Sequence, residues 1–222
     1  MGPVLDAVLG VDLSALPETV DVEVIVVDDA SVDRTAEQVS ERAAIQLVRH
    51  KTNQGKGAAI RTALSHVTGD VVLVQDADME YSVTDYPALL RPFMESDAQV
   101  VFGSRFLKRR FPRQMRPANW VANRLLTLLA NVLYGAGITD EATCFKVFRA
   151  DVIKSFHLRS SGFDFCPEVT ALTCLRGIRI HEVPIEYAAR TKAEGKKVMW
   201  TDGIQAVKTL IAYRLKGRSA AE

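Results

Sequence analysis

Short runs of β-branched apolar residues alternate along this chain with segments whose apolar positions recur every three or four residues. "VEVIVV" (22–27), "IQLVR" (45–49), "DVVLVQ" (70–75) and "AQVVFGS" (98–104) predict strands. Residues 34–43, 57–67 and 84–95 have helical spacing, the second of these opening after Gly-Lys-Gly. This alternation predicts an α/β fold built on a doubly wound, mostly parallel sheet flanked by helices. Ligands of such sheets gather at the carboxyl ends of the strands. Two acid clusters fall there: Asp28 and Asp29 after the first run, and Asp76, Asp78 and Glu80 after the third.

Beyond residue 104 the pattern changes. "RFLKRRFPRQMR" sets Arg105, Lys108, Arg109, Arg110, Arg113 and Arg116 close together, and a long apolar helix follows at about 118–134. Its polar residues Asn123, Thr127 and Asn131 recur every four positions as one narrow stripe. A surface helix on a soluble core would show a wider polar face, so this one needs wide burial: in a subunit interface, in the core, or among lipid headgroups. The basic lead-in suits a membrane surface, and a homodimer or a membrane-protein partner would also cover the helix. A closing helix carries Trp200, Ile204, Val207, Leu210 and Ile211 on one side, which reads as a structural face. Residues 1–217 form one domain and 218–222 a disordered tail.

Composition narrows the classes. With 222 residues and a net charge of +1, the chain supports one full core and exerts no global pull on nucleic acid. Its three cysteines form no C-x-x-C pair and read as reduced thiols. No run approaches the roughly 20 apolar residues that span a bilayer. The first residues lack the basic region of a signal peptide, so the expectation is a cytoplasmic protein.

Three stretches carry candidate chemistry. Extended geometry puts Asp76, Asp78 and Glu80 on one side of the chain, a donor set suited to Mg2+ or Mn2+ sharing phosphate oxygens. A capping turn explains one acid but not three. "NQGKGAA" (53–59) opens a helix with glycines, whose free N–H groups and Lys56 would make an anion-binding corner, although a solvated helix start is also credible. In "VDDASVDRT", Ser31 and Asp33 read as turn and cap, and Asp28 and Asp29 as contacts to a polar ligand. The histidines show no metal spacing, and there is no G-x-S-x-G elbow.

Taken in order, "VIVVDDASVDRT", "NQGKGAAIRTAL", "GDVVLVQDADMEY", "VFGSRF", "TDEATCFKVFRADV", "FDFCPEVTA" and "EGKKVMWTDGIQAV" resemble the inverting family 2 glycosyltransferases of the GT-A fold, in the dolichyl-phosphate mannose synthase and polyprenyl-phosphate sugar transferase branch. The resemblance implies transfer of a hexose from a nucleotide-diphosphate sugar, GDP-mannose or UDP-glucose, to a polyprenyl phosphate at the cytoplasmic face of the membrane. It puts the metal ligands on Asp76, Asp78 and Glu80, and the nucleotide contacts on Asp28, Asp29, Asn53, Gly55, Lys56 and Gly57. Gly103, Ser104 and Arg105 fall near sugar and acceptor, Lys146 and Arg149 at the lipid phosphate, and Arg190 and Lys196 in a segment over the phosphates. Glu168 is kept where Cys166 replaces a frequent acid. The family's opening strand has no counterpart, which predicts a gap inside the sheet with unpaired backbone. A hydroxyl acceptor would instead need Asp164 or Glu168 as base. A non-catalytic module and a nucleotidyltransferase are the remaining readings.

Overall fold

A computed structural model describes residues 1–78, 80–112, 115–188 and 200–217. Helix α1 (Gly2–Leu9) precedes strand β1 (Val24–Asp28), helix α2 (Thr35–Ser40), strand β2 (Ile45–Arg49) and helix α3 (Lys56–Leu64). Strand β3 (Val71–Leu73) leads into α4 (Tyr86–Glu95), β4 (Val100–Ser104), the single turn α5 (Arg105–Lys108) and the long α6 (Pro117–Tyr134). Strand β5 (Lys146–Arg149), α7 (Ala150–Ser155), α8 (Phe165–Leu175), β6 (Ile180–Pro184) and α9 (Trp200–Lys216) complete the order. The elements read from periodicity in the first hundred residues are all present, displaced at their ends by up to a few residues.

The strands divide into two sheets. β1 and β2 pair in parallel, and β3-β5-β4-β6 form the second sheet, with β5 antiparallel to both of its neighbours and β4 parallel to β6. Among the described residues no strand pairs the outer edge of β1 or of β3. The starts of these two strands are nevertheless tied together. The Glu23 carboxylate accepts hydrogen bonds from Thr68 N at 3.0 Å and Thr68 Oγ1 at 2.9 Å. Their carboxyl ends meet at the start of α3, so β1 and β3 run the same way with a gap between them. The gap expected inside the sheet is therefore present.

Burial follows the split. Every residue of β4 is buried, whereas the equally apolar Val24, Ile25, Val26 and Val27 of β1 are only half-buried. One core lies around Phe102, Phe148, Phe165, Leu172 and Leu210, and another around Tyr81, Leu89, Phe145 and Ile185; no residue of β1 belongs to either. Helix α8, buried along nearly its whole length, is the post against which α6 and α9 pack.

The side of α6 that packs inward, left open by its periodicity, is set by the structure, and the α9 stripe read as structural turns outward. In α6 it is the polar stripe that turns inward: Thr127 is buried and accepts from Glu141 N at 3.0 Å, while Asn131 donates to Ile138 O at 2.8 Å. Leu126, Leu129, Ala130 and Leu133 pack on the core beside that stripe, while Val121, Leu125, Leu128 and Val132 face out. In α9 the inward residues are Ala206, Thr209, Leu210 and Tyr213, and of the stripe assigned to the core only Leu210 is buried. Trp200, Ile204, Val207 and Ile211 are exposed, with Leu215 beside them.

Candidate active site

The site is assembled where β1 and β3 end. Pure strand-forming sequence carries Asp28 to the last position of β1, and Asp29 follows at the turn. Asp28 accepts from Ser31 N at 2.9 Å and pairs with Arg49 Nε at 2.8 Å. Burial pushes its carboxyl up, but the bonds from Ser31 and Arg49 outweigh that and hold it below the usual carboxylate range. Asp29 accepts from Gln54 N at 2.8 Å, Gly55 N at 2.7 Å and His50 Nδ1 at 2.7 Å. The other His50 nitrogen lies 2.9 Å from Thr62 Oγ1. The aspartate thus fastens the turn before α3 to the end of β1. Beside it, Ala30, Ser31, Arg49, His50 and Lys51 line an open cavity of about 480 Å3.

The glycines around Lys56 serve a use other than anion binding. Gly57 N donates to Ser161 O at 2.8 Å and Ala58 N to the same oxygen at 3.3 Å, so these N–H groups are already used within the protein. A Cβ on Gly57 would lie 2.4 Å from Ser160 O, and one on Gly55 2.4 Å from Ser161 O. The glycines are there because the 160–161 backbone crosses the helix start at contact distance. The charged contribution to the corner comes from Lys56 alone.

The Lys56 ammonium lies 2.5 Å from Asp76 Oδ1, donates to Cys144 Sγ at 3.5 Å and stands 5.8 Å from the centre of the Phe163 ring. Burial would lower its pKa, but the neighbouring Cys144 and Asp76 outweigh burial and raise it, so it stays a cation. Asp78 Oδ1 accepts from Glu80 N at 3.1 Å, and Glu80 in turn accepts from Tyr187 OH at 3.1 Å. Among the described residues no three His, Cys, Asp or Glu side chains gather as a ready-made cation cage. Two hard carboxylates at a strand end, one already holding a cationic group, do fit a divalent ion that takes its remaining donors from phosphate and water.

Other residues assigned to the site are employed elsewhere. Arg105 is buried and makes a two-pronged pair with Asp140, 2.7 Å on each arm. Ser104 Oγ meets Thr139 Oγ1 at 2.6 Å, and a Cβ on Gly103 would meet Ile185 Cγ2 at 2.7 Å. Lys146 is fully buried, donating to Glu141 O at 2.9 Å with its ammonium 3.4 Å from the centre of the Phe102 ring. Arg149 pairs across from Val71 at the start of β3, the end opposite Asp76, and donates to Phe93 O at 2.9 Å. Because β5 runs antiparallel to β3, it carries Arg149 to the end away from Asp76, whereas Lys146 starts β5 near the end of β3, its ammonium turned to Glu141 and Phe102. Glu168 is buried and accepts from Arg159 N at 2.7 Å, Ser160 N at 3.0 Å and the Tyr213 hydroxyl. It braces the loop that clamps α3. Asn53 is exposed beside that turn. Arg113, Arg190, Lys196 and the tail 218–222 lie outside the described residues.

Cys144, Arg49, His50 and Tyr187 were not singled out from the sequence. Only His50 carried a local signal, sitting directly after a strand, and that is shared by many residues.

The family model "Glycosyl transferase family 2" matches residues 4–156. A low-salt glycan biosynthesis hexosyltransferase of Haloferax volcanii is 34% identical over 84% of this chain and 45% of its own length. A dolichyl-phosphate beta-glucosyltransferase of Trichomonas vaginalis is 30% identical over 82% of this chain and 60% of its own. This chain thus spans about half the length of those two relatives. An undecaprenyl-phosphate mannosyltransferase of Micrococcus luteus is 32% identical over 86% of this chain and 81% of its own length. Among solved structures, glucosyl-3-phosphoglycerate synthase from Mycobacterium tuberculosis, in complex with Mn2+, uridine diphosphate and phosphoglyceric acid, superposes with a TM-score of 0.66. The match has 21% identity and covers 86% of this chain and 67% of that one, which shows a shared GT-A fold.

Proposed function

The chain belongs to glycosyl transferase family 2, and from that premise we propose that it transfers a hexose from a nucleotide-diphosphate sugar to a polyprenyl phosphate, with inversion. The observation that carries the reading is the meeting of the Asp28/Asp29 turn, Lys56 and the Asp76/Asp78 loop at one end of the sheet. The cavity beside Arg49 and His50 suits the nucleoside end of the donor, and Lys56 faces the place where a diphosphate would lie. Asp76 and Asp78 would hold a divalent cation, which supplies Lewis-acid stabilisation of the leaving diphosphate. The acceptor phosphate oxygen attacks the anomeric carbon from the face opposite the leaving group. A phosphate monoester is already anionic near neutral pH, so this step needs no general base.

The lipid nature of the acceptor is favoured by the outward apolar faces of α6 and α9. The two helices pack together, with Tyr134 OH donating to Leu210 O at 2.5 Å. Among the described residues no helix is long and apolar enough to cross a membrane, so these faces suit a headgroup layer rather than a span. Exposed Arg109, Arg110, Arg116, Arg124, Lys208 and Arg214 lie on or before the same two helices and complement anionic lipid. The cytoplasmic leaflet, rich in such lipid, is the expected surface. Of the two candidate bases for a hydroxyl acceptor, Glu168 is occupied within the core, which leaves half-buried Asp164, accepting from Gly162 N at 3.0 Å, as the other.

Incubation with radiolabelled GDP-mannose or UDP-glucose, Mn2+ and either a polyprenyl phosphate in detergent or soluble saccharides tests the proposal. We expect label in the lipid extract from one donor; label only in a soluble saccharide would overturn the lipid acceptor.

A further inference from the structure

Lys56 is placed in a way that sugar transfer alone does not require. Its backbone is immobilised: Gly55 N is held by Asp29, Gly57 N by Ser161, and the 160–161 backbone leaves no room at either glycine. Its side chain, four methylenes long and 16% exposed, ends in an ammonium against Asp76 Oδ1 at 2.5 Å. That oxygen belongs to the carboxylate through which the donor's cation would be held. An ammonium and a divalent cation on one carboxylate oxygen repel each other strongly where water is scarce. A cation reaching Asp76 is therefore opposed by Lys56, and displacing the lysine relieves that repulsion. An expelled ammonium in this corner would lose its anionic partner, because its other contacts among the described residues are the Cys144 thiol and the Phe163 ring. Leaving such a charge unpaired is costly. An incoming diphosphate removes the difficulty by supplying anionic oxygens to the displaced lysine.

We propose that Lys56 is an internal counter-ion that holds Asp76 closed to a divalent cation until a nucleoside diphosphate arrives. Cation and nucleotide then bind as a pair, each weak without the other, and the coupling is reciprocal. The proposal rests on the donor-site reading given above.

Manganese binding to the full chain, followed by the loss of the free-ion electron paramagnetic resonance signal, tests it without any turnover. Wild type, Lys56→Met and Asp76→Asn are titrated with Mn2+ alone, and wild type again with UDP or GDP present. We expect Lys56→Met to bind Mn2+ alone about tenfold more tightly than wild type, a coupling of ordinary size. Asp76→Asn should bind it weakly in every condition. Equal Mn2+ affinity in wild type and Lys56→Met, with binding still lost in Asp76→Asn, would overturn the counter-ion role and leave the donor site standing. Folded wild type that retains no Mn2+ even with both nucleotides would remove the donor site and this proposal together. If Lys56→Met does not fold, Lys56→Gln, which can still donate to Asp76 without charge, takes its place with the same expected direction.

Discussion

Asp29 shows how much of this site is held by single side chains. It takes two backbone N–H groups from the turn before α3 and the ring of His50, so its removal takes three hydrogen bonds to a charged acceptor at once. We expect Asp29→Ala to lower stability by about 2 kcal/mol, measured by urea denaturation. Burial pushes its carboxyl up, but the bonds from Gln54, His50 and Gly55 outweigh it and hold the pKa low, as Ser31 and Arg49 do for Asp28. A lowered carboxylate stabilises the fold at pH values above the unfolded pKa, about 3.9, and that contribution disappears as pH falls through the folded value. The wild-type stability curve should therefore drop below about pH 4, and Asp28→Asn should flatten that limb while weakening the protein at neutral pH. Glycine positions separate in the same way. Gly57→Ala drives a Cβ to 2.4 Å from Ser160 O and should fail to fold normally. Gly203→Ala meets nothing within 4 Å inside α9 and should stabilise the chain by about 0.8 kcal/mol in thermal unfolding.

At the scale of elements, α6 divides its apolar residues: Leu126, Leu129, Ala130 and Leu133 pack on the core, while Leu125, Leu128 and Val132 face out. Its periodicity was legible: one narrow polar stripe along an otherwise apolar helix. Which side faced the core was not, because Thr127 and Asn131 turn inward only by meeting Glu141 and Ile138 of the following loop. The outward face joins that of α9, where Trp200 is 77% and Leu215 82% exposed. Such positions bear no packing load. Leu128→Glu and Leu215→Glu should each change unfolding free energy by less than about 0.5 kcal/mol. The double variant should nevertheless lose most of its sedimentation with anionic vesicles, while vesicle binding unchanged by it would exclude these faces as the contact. Helix α9 was read as structural because its apolar stripe looked like a core face. The mistake has a physical origin: a stripe on a helix identifies an apolar surface, and only its neighbours decide whether protein or something else covers it.

The whole molecule is divided by the space between β1 and β3. The larger sheet shares two cores, whereas β1 and β2 lean on α2 and α3 and are joined to the rest through Glu23–Thr68, Lys56–Asp76, the α3 clamp and the Arg42–Asp6 pair between α2 and α1. Regions with fewer buried contacts open at lower free energy. Amide hydrogens of Val26 and Val27 should therefore exchange well before those of Val101 and Phe148, and a nucleotide with Mn2+ should slow the former more than the latter. Uniform exchange across both sheets would contradict the division.

The alternation of apolar runs and helical periods was enough to determine an α/β chain with acids at strand ends, because strand and helix periods and turn-forming acids are local properties. The family followed from the order of short motifs, and the metal-suited aspartates with it. What each matched residue does was decided by the tertiary structure. Lys146 and Arg149 lie in one short motif, yet an antiparallel strand buries the first beneath Phe102 and sends the second to the far end of the sheet. Glycines that read as an anion cradle are spacers for the backbone of Ser160 and Ser161, which crosses them from far along the chain. Pairing between distant segments is set by burial and hydrogen bonding across the whole fold, and no local spacing encodes it.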